Sequence, residues 1–353
     1  MIVYLINIFL ITFFGYVFLY KFKGENNKKI YCCIVALQWI LLSGFRHISV
    51  GSDTRVYGDA FEKVKSVPWS TIFNNIWDYL FNDLKIKDPG YRLVVKTFQI
   101  FCDNYQVFLI FIAVLFTSLM AVWVYKNSAD PCFSFILYSV LFYAFYALTG
   151  HRQTIATALI IFVGYKYIKE RKLVKFAIIA FVAYLIHKSS VVFIPFYFIA
   201  NIPITPLYVI FALIIILTIT VLGKNFYGPV AEALGFSEDQ IDYAVGGAET
   251  YAFILTVMCI LILFFYYFYK NRTENATKIF NITLLTLMSS LLVFQNQGFM
   301  RVQQYYSLFL CVSFPEVINS FEKKSRTLVY IVTVTVLVFY LISNNPQYKF
   351  FWQ

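Results

Sequence analysis

The chain has 353 residues, of which 60% are hydrophobic and only 13% are charged, and its formal net charge is +11. Soluble domains carry about 25% charged residues, so this composition excludes an ordinary soluble enzyme. The basic residues lie at the ends of apolar runs, which membrane topology explains better than nucleic-acid binding. No spacing of the six cysteines indicates a zinc site or a disulfide framework.

The apolar runs predict helices separated by short charged connections. In chain order the predicted segments are 2–20, 30–45, 106–125, 133–149, 154–168, 174–187, 190–200, 207–223, 251–269, 279–294, 302–320 and 327–343. Segment 190–200 is too short to cross about 30 Å of hydrocarbon as a straight helix. It is either half of a broken helix or a continuation of the preceding segment past His187. We predict an all-α, polytopic integral membrane protein in which residues 1–353 form one domain of about 12 transmembrane segments, with a range of about 10–12.

The distribution of basic residues predicts the orientation of these segments. With the N-terminus outside and twelve crossings, sixteen lysines and arginines fall in cytoplasmic connections and five in the short outer connections and the tail. Cytoplasmic loops are enriched in these residues, so this arrangement is favoured over one in which residues 174–200 form a single crossing. It leaves a long outer loop over residues 46–105, with amphipathic stretches that could lie along the membrane interface, and a second outer loop over residues 224–250.

Five polar clusters are predicted to converge on the outer face. They are Arg46-His47 with Asp53, Thr54 and Tyr57; Asp88-Pro89-Gly90-Tyr91-Arg92; His151-Arg152-Gln153; His187-Lys188-Ser189-Ser190; and Arg301 with Gln303 and Gln304. Each has a simpler explanation alone: Arg46 could reach the lipid headgroups, Asp53 could cap a helix that begins at Thr54, Asp88 could belong to a turn, and His187 could be a packing residue. Ionisable groups inside a membrane are costly and usually line a cavity or a path. Five such clusters on one side therefore indicate a polar site.

The residue types in these clusters suit a lipid-linked pyrophosphate substrate. Arg46, Arg152 and Arg301 are permanent cations whose planar forks match phosphate oxygens in pairs. They would offset the charge that develops as a diphosphate leaves. His187 or Asp53 would take the proton from an attacking hydroxyl group. No carboxylate pair is obvious for a divalent cation, so the sequence favours a transfer that uses neither a metal nor another cofactor.

The clusters, in this order, resemble the EpsG family of bacterial exopolysaccharide polymerases, which is related to Wzy-type O-antigen and capsule polymerases. The matching residues are Arg46, Val50-Gly51-Ser52-Asp53-Thr54, Tyr57, Pro89-Gly90-Tyr91, Arg152-Gln153, Ala156, His187, Ser189, Ser190, Pro195, Arg301 and Tyr305 or Tyr306. The resemblance implies a GT-C-like glycosyltransferase that joins undecaprenyl-pyrophosphate-linked oligosaccharide repeat units at the outer face of a bacterial cytoplasmic membrane. It would serve capsule or exopolysaccharide synthesis, with membrane lipid, a flippase and a chain-length regulator as partners.

Together the clusters and the resemblance define a candidate site. The predicted catalytic residues are His187, Asp53 and Arg152, and the predicted substrate-binding residues are Arg46, His47, Thr54, Tyr57, Arg92, His151, Gln153, Arg301 and Tyr305. An O-antigen ligase would use similar residues, so the sequence leaves that alternative open. A transporter or flippase of lipid-linked sugars is a second alternative, although the sequence shows no convincing internal repeat. A membrane acyltransferase centred on His187 is a third, but it would give the outer arginines no clear purpose.

Overall fold

The architecture is all-helical in the part of the chain that the computed structural model describes, namely residues 1–82, 86–233, 248–268 and 274–353. Each of the twelve apolar segments contains helix, so the predicted all-α fold class is confirmed. Within these ranges β-structure is limited to an isolated antiparallel bridge between Arg46 and Phe350. The chain divides into two compact units, one formed by residues 1–187 and 322–353 and the other by residues 188–321.

The first unit contains eleven α-helices in its described residues. They are α1 (Ile2–Gly15), α2 (Glu25–Gly44), α3 (Thr54–Lys65), α4 (Trp69–Phe81), α5 (Pro89–Phe98), α6 (Tyr105–Asn127), α7 (Pro131–Leu137), α8 (His151–Thr157), α9 (Gly164–Lys169), α10 (Leu173–Ile186) and α17 (Lys323–Ser343). Wider π-helical turns extend α1, α7 and α8 over Tyr16–Lys21, Tyr138–Phe142, Ala144–Thr149 and Ala158–Val163. Helices α2 and α6 pack along each other, and α10 packs against α5, α8 and α9.

Local sequence determines where several of these helices begin. The side chain of Asn104 accepts hydrogen bonds from the N–H groups of Gln106 (2.8 Å) and Val107 (3.3 Å) at the start of α6. At α7, Asp130 accepts a hydrogen bond from the N–H of Phe133 at 3.1 Å, and a proline follows at the first helical position. Side-chain acceptors at this position satisfy N–H groups that have no partner inside the helix.

Helix α1 has one side that is buried in the protein and another that is exposed. Its buried positions include Tyr4, Ile8 and Ile11, whereas the large apolar side chains Phe9 and Phe13 are exposed. A helix in water would cover its exposed side with polar residues. An apolar exposed face, on a helix with little charge, indicates that lipid surrounds it.

Five helices in the described ranges are long and apolar enough to cross a membrane. They are Ile2–Lys21, Tyr105–Asn127, Glu249–Phe268, Asn275–Gln295 and Lys323–Ser343. Shorter apolar helices occupy Pro131–Phe142, Leu173–Ile186, Lys188–Ile199 and Pro206–Leu222. The 46–105 region forms α3, α4 and α5 between two apolar helices, with Trp69, Phe73 and Trp77 exposed along α4.

The helical backbone is interrupted at His187, between the sixth and seventh predicted segments. Helix α10 ends at Ile186, and His187 is extended, with φ −154° and ψ 110°. A 3₁₀ helix over Lys188–Phe193 follows and continues into α11 (Ile194–Ile199). The break places the imidazole in irregular backbone at a helix end rather than on a continuous helical face.

The second unit contains the remaining helices of the described chain. They are α11, α12 (Pro206–Ala233), α13 (Ala248–Phe268), α14 (Glu274–Gln295), α15 (Met300–Ser307) and α16 (Leu310–Ser320). Helix α14 packs against α12, α13 and α15. Helix α12 runs ten residues into the predicted 224–250 loop, while Glu238, Asp239, Asp242 and the Gly246-Gly247 pair lie outside the described residues.

Candidate functional site

Asp88 lies at the centre of a buried group of charged side chains. Its Oδ2 atom is 2.7 Å from Nη1 of Arg152 and 3.1 Å from Nδ1 of His187. The carboxylate is only 4% exposed, whereas the Arg152 and His187 side chains are 22% and 13% exposed. A buried carboxylate requires such partners, because desolvation otherwise opposes its charged form.

The backbone around Asp88 explains why the sequence at this point is Asp-Pro-Gly. Asp88 has a positive φ of 49°, which aspartate tolerates better than most residues. Pro89 occupies the first turn of α5, where its missing N–H removes no helical hydrogen bond. A Cβ on Gly90 would lie 2.7 Å from the carbonyl carbon and oxygen of Leu185. Glycine therefore lets the start of α5 approach the end of α10, which carries His187.

His187 has one ring nitrogen committed to this carboxylate. The backbone N–H of His187 donates to the carbonyl of Ala183 at 2.8 Å, at the end of α10. The ring nitrogen Nδ1 faces Asp88. A carboxylate that accepts from Nδ1–H favours the tautomer with an unprotonated Nε2. Exchange of a proton with a substrate would therefore pass through Nε2.

Arg152 is held from two sides. Its Nε donates to the hydroxyl of Tyr57 at 3.2 Å, while its guanidinium carbon lies 5.5 Å from the centre of the Tyr57 ring. Burial acts to lower the pKa of Arg152, but Tyr57 and Asp88 outweigh burial and raise the pKa. Arg152 is therefore a cation whose guanidinium group is oriented by two contacts, one from Nη1 to Asp88 and one from Nε to Tyr57.

His151 links Arg152 to a second buried arginine. The imidazole of His151 stacks on Tyr57 with ring centres 4.3 Å apart, and its Nε2 lies 2.8 Å from Nη2 of Arg46. Burial and the two neighbouring arginines lower the pKa of His151 well below its usual range, so the ring is neutral at pH 7. Burial also lowers the pKa of Arg46, to about 10, which still leaves it charged. Because Arg46 must donate, Nε2 of His151 accepts and Nδ1 carries the proton.

The segment between Arg46 and Tyr57 is fixed by the carbonyl of Leu148. Gly51 has φ +89°, and a Cβ there would lie 2.1 Å from that oxygen. The hydroxyl of Thr54 lies 3.0 Å from the same oxygen and 2.7 Å from the carbonyl of Val50. Glycine and a buried threonine are therefore required by packing, and they place Tyr57 beside Arg152.

Six residues thus form one contiguous group, which we name the Asp88 cluster: Arg46, Tyr57, Asp88, His151, Arg152 and His187. All six belong to the first unit. Arg46 is 2% exposed and its guanidinium also donates to the carbonyl of Ser43, so in this structure it contacts protein groups rather than the surface. Arg152 and His187 are the more exposed members by side chain, although Nε2 of His187 is itself buried. A substrate could therefore contact Arg152 directly.

The other predicted residues of the first unit lie around this cluster. Asp53 is exposed and directly precedes α3, but its carboxylate accepts from the hydroxyl of Ser52 at 3.3 Å rather than capping the helix. The ring of His47 bonds to Ser49, with Nδ1 2.8 Å from the hydroxyl oxygen. Arg92 is exposed on α5, and Gln153 is buried on α8.

Arg301 and Tyr305 belong to the second unit and are described separately. Both lie on α15, where Arg301 is half-buried and Tyr305 is fully buried. Gln303 lies between them and donates from Nε2 to the hydroxyl of Ser290 on α14 at 2.6 Å. Through this contact a polar side chain joins two neighbouring helices, α14 and α15.

Sequence reasoning did not assign a role to Asp88. The Asp-Pro-Gly sequence is a strong turn signal, and that explanation was sufficient by itself. A second signal was present, because the same short segment continues into Tyr91 and Arg92 and lies among the other polar clusters. The structure adds the burial of the carboxylate and its two partners.

The geometry of the Asp88 cluster matches a recurring arrangement in catalytic sites. A histidine whose second nitrogen is oriented by a carboxylate is suited to general base catalysis. A neighbouring arginine can stabilise negative charge on a leaving group. The cluster therefore combines a proton acceptor and a cation within contact of a single carboxylate oxygen.

Comparison with known proteins connects this arrangement to a family. No curated protein and no solved structure matches the chain. The match to the EpsG family extends over residues 29–352, a range that begins within α2, continues past α17 and includes every member of the Asp88 cluster. With its apolar helices, this membrane protein belongs to the EpsG family.

Proposed function

We propose that the protein is a glycosyltransferase that polymerises undecaprenyl-pyrophosphate-linked oligosaccharide repeat units for capsule or exopolysaccharide. The EpsG family supports a polysaccharide polymerase in general. The observation that supports this particular chemistry is the contact of Arg152 and His187 with one oxygen of Asp88. A polymerase of this kind needs a base for the attacking hydroxyl and a cation for the departing diphosphate.

In the proposed step, a sugar hydroxyl of one lipid-linked unit attacks the anomeric carbon of the growing chain. The bond between that carbon and the pyrophosphate oxygen breaks, and undecaprenyl pyrophosphate leaves with the electron pair. Nε2 of His187 is buried in this structure, so the step requires the side chain to move when the substrate binds. Nε2 then takes the hydroxyl proton, and Asp88 stabilises the imidazolium that forms. Arg152 offsets the negative charge on the leaving diphosphate. This assignment gives the base role to His187 rather than to exposed Asp53.

We further propose a GT-C-like arrangement with about 12 transmembrane segments and a site on the extracytoplasmic side of the cytoplasmic membrane. The excess of lysine and arginine in the connections assigned to the cytoplasm supports this orientation. A flippase that delivers lipid-linked units to this side and a chain-length regulator are the expected partners. Transfer by the fixed arginine cation would proceed without a bound metal.

The test is incubation of the purified protein with a lipid-pyrophosphate oligosaccharide, followed by product sizing. We expect a ladder of products that grows by whole repeat units and is absent with Arg152→Ala. If the protein instead transferred a finished polymer to another acceptor in a single step, it would be a ligase. In cells, loss of the polymerase should accumulate single lipid-linked units, whereas loss of a ligase should accumulate long lipid-linked polymer. Absence of any glycosyl transfer with several such substrates would contradict the proposal.

A further inference from the structure

A cavity of about 500 Å³ lies beside the loop that carries the start of the Asp88 cluster. Residues 48–52 and Arg55 form one side of it, and residues 347–349 of the C-terminal tail form the other. None of the six members of the Asp88 cluster lines this cavity, although Arg46 and Tyr57 lie on either side of the same segment. The cavity is therefore next to the proposed catalytic site but is not used by the reaction as described above.

The tail is held firmly enough to form a wall. The carbonyl of Lys349 accepts from the N–H of His47 at 2.9 Å, and the N–H of Phe351 donates to the carbonyl of Phe45 at 2.9 Å. Tyr348 donates from its hydroxyl to the carbonyl of Leu42 at 2.8 Å. These bonds place the tail directly against the segment that contains Arg46, so the cavity has a defined shape on both sides.

The charges at this cavity have one sign. Arg55 and Lys349 are both exposed, and neither makes an ion pair with a carboxylate in the described ranges of the chain. No aspartate or glutamate is among the residues that line it. Ser49 adds a hydroxyl group, which the ring of His47 positions through bonds to its Oγ and N–H at 2.8 and 3.2 Å. Two cations and a hydroxyl without an acidic partner suit a phosphoryl group.

We propose that this cavity binds a phosphoryl group of the second lipid-linked saccharide, the one whose hydroxyl attacks. The inference rests on the proposed function, because a polymerase must hold two lipid-linked substrates at once. One diphosphate would contact Arg152, and the other would lie between Arg55 and Lys349. The segment from Arg46 to Arg55 would then align both substrates, because Arg46 belongs to the Asp88 cluster and residues 48–52 and Arg55 line the cavity.

The first experiment measures binding without catalysis. Inorganic pyrophosphate is titrated calorimetrically into the purified full-length protein in a neutral detergent. We expect Arg55→Gln combined with Lys349→Gln to weaken one binding event about tenfold or more, because the loss of even one contact to a charged group costs about a factor of ten. The matched control is Lys63→Gln combined with Lys23→Gln, which removes the same charge from exposed positions outside the cavity. Unchanged binding in the cavity variant would overturn the proposal.

A second arm separates the substrate from ordinary membrane lipid, which also carries a phosphoryl group. The titration is repeated in mixed micelles that contain phosphatidylglycerol. We expect pyrophosphate binding at the cavity to persist at equal concentrations of the lipid. Complete displacement by the lipid would assign the cavity to a headgroup and overturn its assignment to the substrate.

A third arm distinguishes this inference from the proposed function. In the polymerisation assay, the cavity variant should raise the concentration of lipid-linked unit needed for half-maximal rate about tenfold, with little change at saturation. If the wild-type protein transfers no sugar but the cavity variant still loses pyrophosphate binding, the proposed function fails and the anion site stands. If polymerisation occurs with the same concentration dependence in both proteins, the inference fails and the proposed function stands.

Discussion

Nδ1 of His187 lies 3.1 Å from Oδ2 of Asp88, although the two residues are 99 positions apart in the chain. The contact joins the end of α10 to the residue that precedes α5. It orients the imidazole and determines which nitrogen can exchange a proton. The functional importance of this pair can be tested by changing either partner or the packing between the two helices.

Asp88→Asn should reduce the initial polymerisation rate about 100-fold or more, within the range expected for general base catalysis. The amide removes the negative charge from the position that Arg152 and His187 share, so the imidazolium that forms at His187 would no longer be stabilised by a carboxylate. The rate is measured by product sizing, with Asp53→Asn as the control at an exposed aspartate. A rate within about twofold of wild type would remove Asp88 from the mechanism.

Arg152→Lys should restore little of the activity that Arg152→Ala abolishes. Lysine offers a point charge, whereas Arg152 uses Nη1 for Asp88 and Nε for Tyr57. Tyr57→Phe removes only the hydroxyl partner and should cost less, about tenfold. All variants should insert normally, as judged by membrane fractionation and chromatography in detergent. If Arg152→Lys made polysaccharide of near-normal length, the geometry of the guanidinium group would be unimportant.

Gly90→Ala should reduce activity by separating Asp88 from His187. The new methyl group would lie 2.7 Å from the Leu185 carbonyl, so α5 or α10 must move. Overpacking of this kind costs about 1–3 kcal/mol of stability, which thermal unfolding in detergent can measure. The control is Gly164→Ala, where the nearest atoms to a Cβ are 3.5 Å away. Equal activity and stability in both variants would contradict the packing argument.

His151 should make the protein sensitive to acid. Its pKa is lowered in the folded state by burial and by Arg46 and Arg152, so the unfolded chain binds more protons below the ordinary histidine pKa of about 6.5. The stability from neutral His151 is complete above that pH and is lost as the pH falls. His151→Gln keeps an acceptor for Arg46 and cannot become charged.

The measurement is the unfolding temperature of wild type and His151→Gln between about pH 8 and about pH 5. The variant should lose less stability than wild type over this range. His47→Gln, at a histidine bonded only to Ser49 through its ring, is the matched control and should follow wild type. Parallel curves for wild type and His151→Gln would refute the prediction.

Chelation should not affect the rate. In the proposed mechanism the cation that opposes the leaving diphosphate is Arg152, so polymerisation should stay within about twofold of its original rate after extensive dialysis against EDTA. Recovery of a lost rate by Mg²⁺ or Mn²⁺ would show that a divalent cation takes part. Inhibition that neither ion reverses would point instead to damage of the protein.

The sequence predicted the all-helical class because apolar runs of helical length are a strong signal in a membrane protein. It also grouped Arg46, Tyr57, Arg152 and His187, whose polar character is conspicuous among apolar neighbours. It could not assign Asp88, since a turn explained that residue fully. The sequence also could not show which arginine is buried, because the side chains of Arg46 and Arg152 are chemically identical. Only the packing in the structure buries Arg46 against Ser43 and His151.

The close packing of Gly51 and Thr54 on the Leu148 carbonyl restricts how this protein could be redirected to a different sugar. No side chain fits at Gly51, and Thr54 is committed to two carbonyl groups. Specificity engineering should therefore leave these two positions untouched. Libraries would sample the solvent-facing positions Ser52 and Gln347 instead, where substitutions leave the buried framework intact.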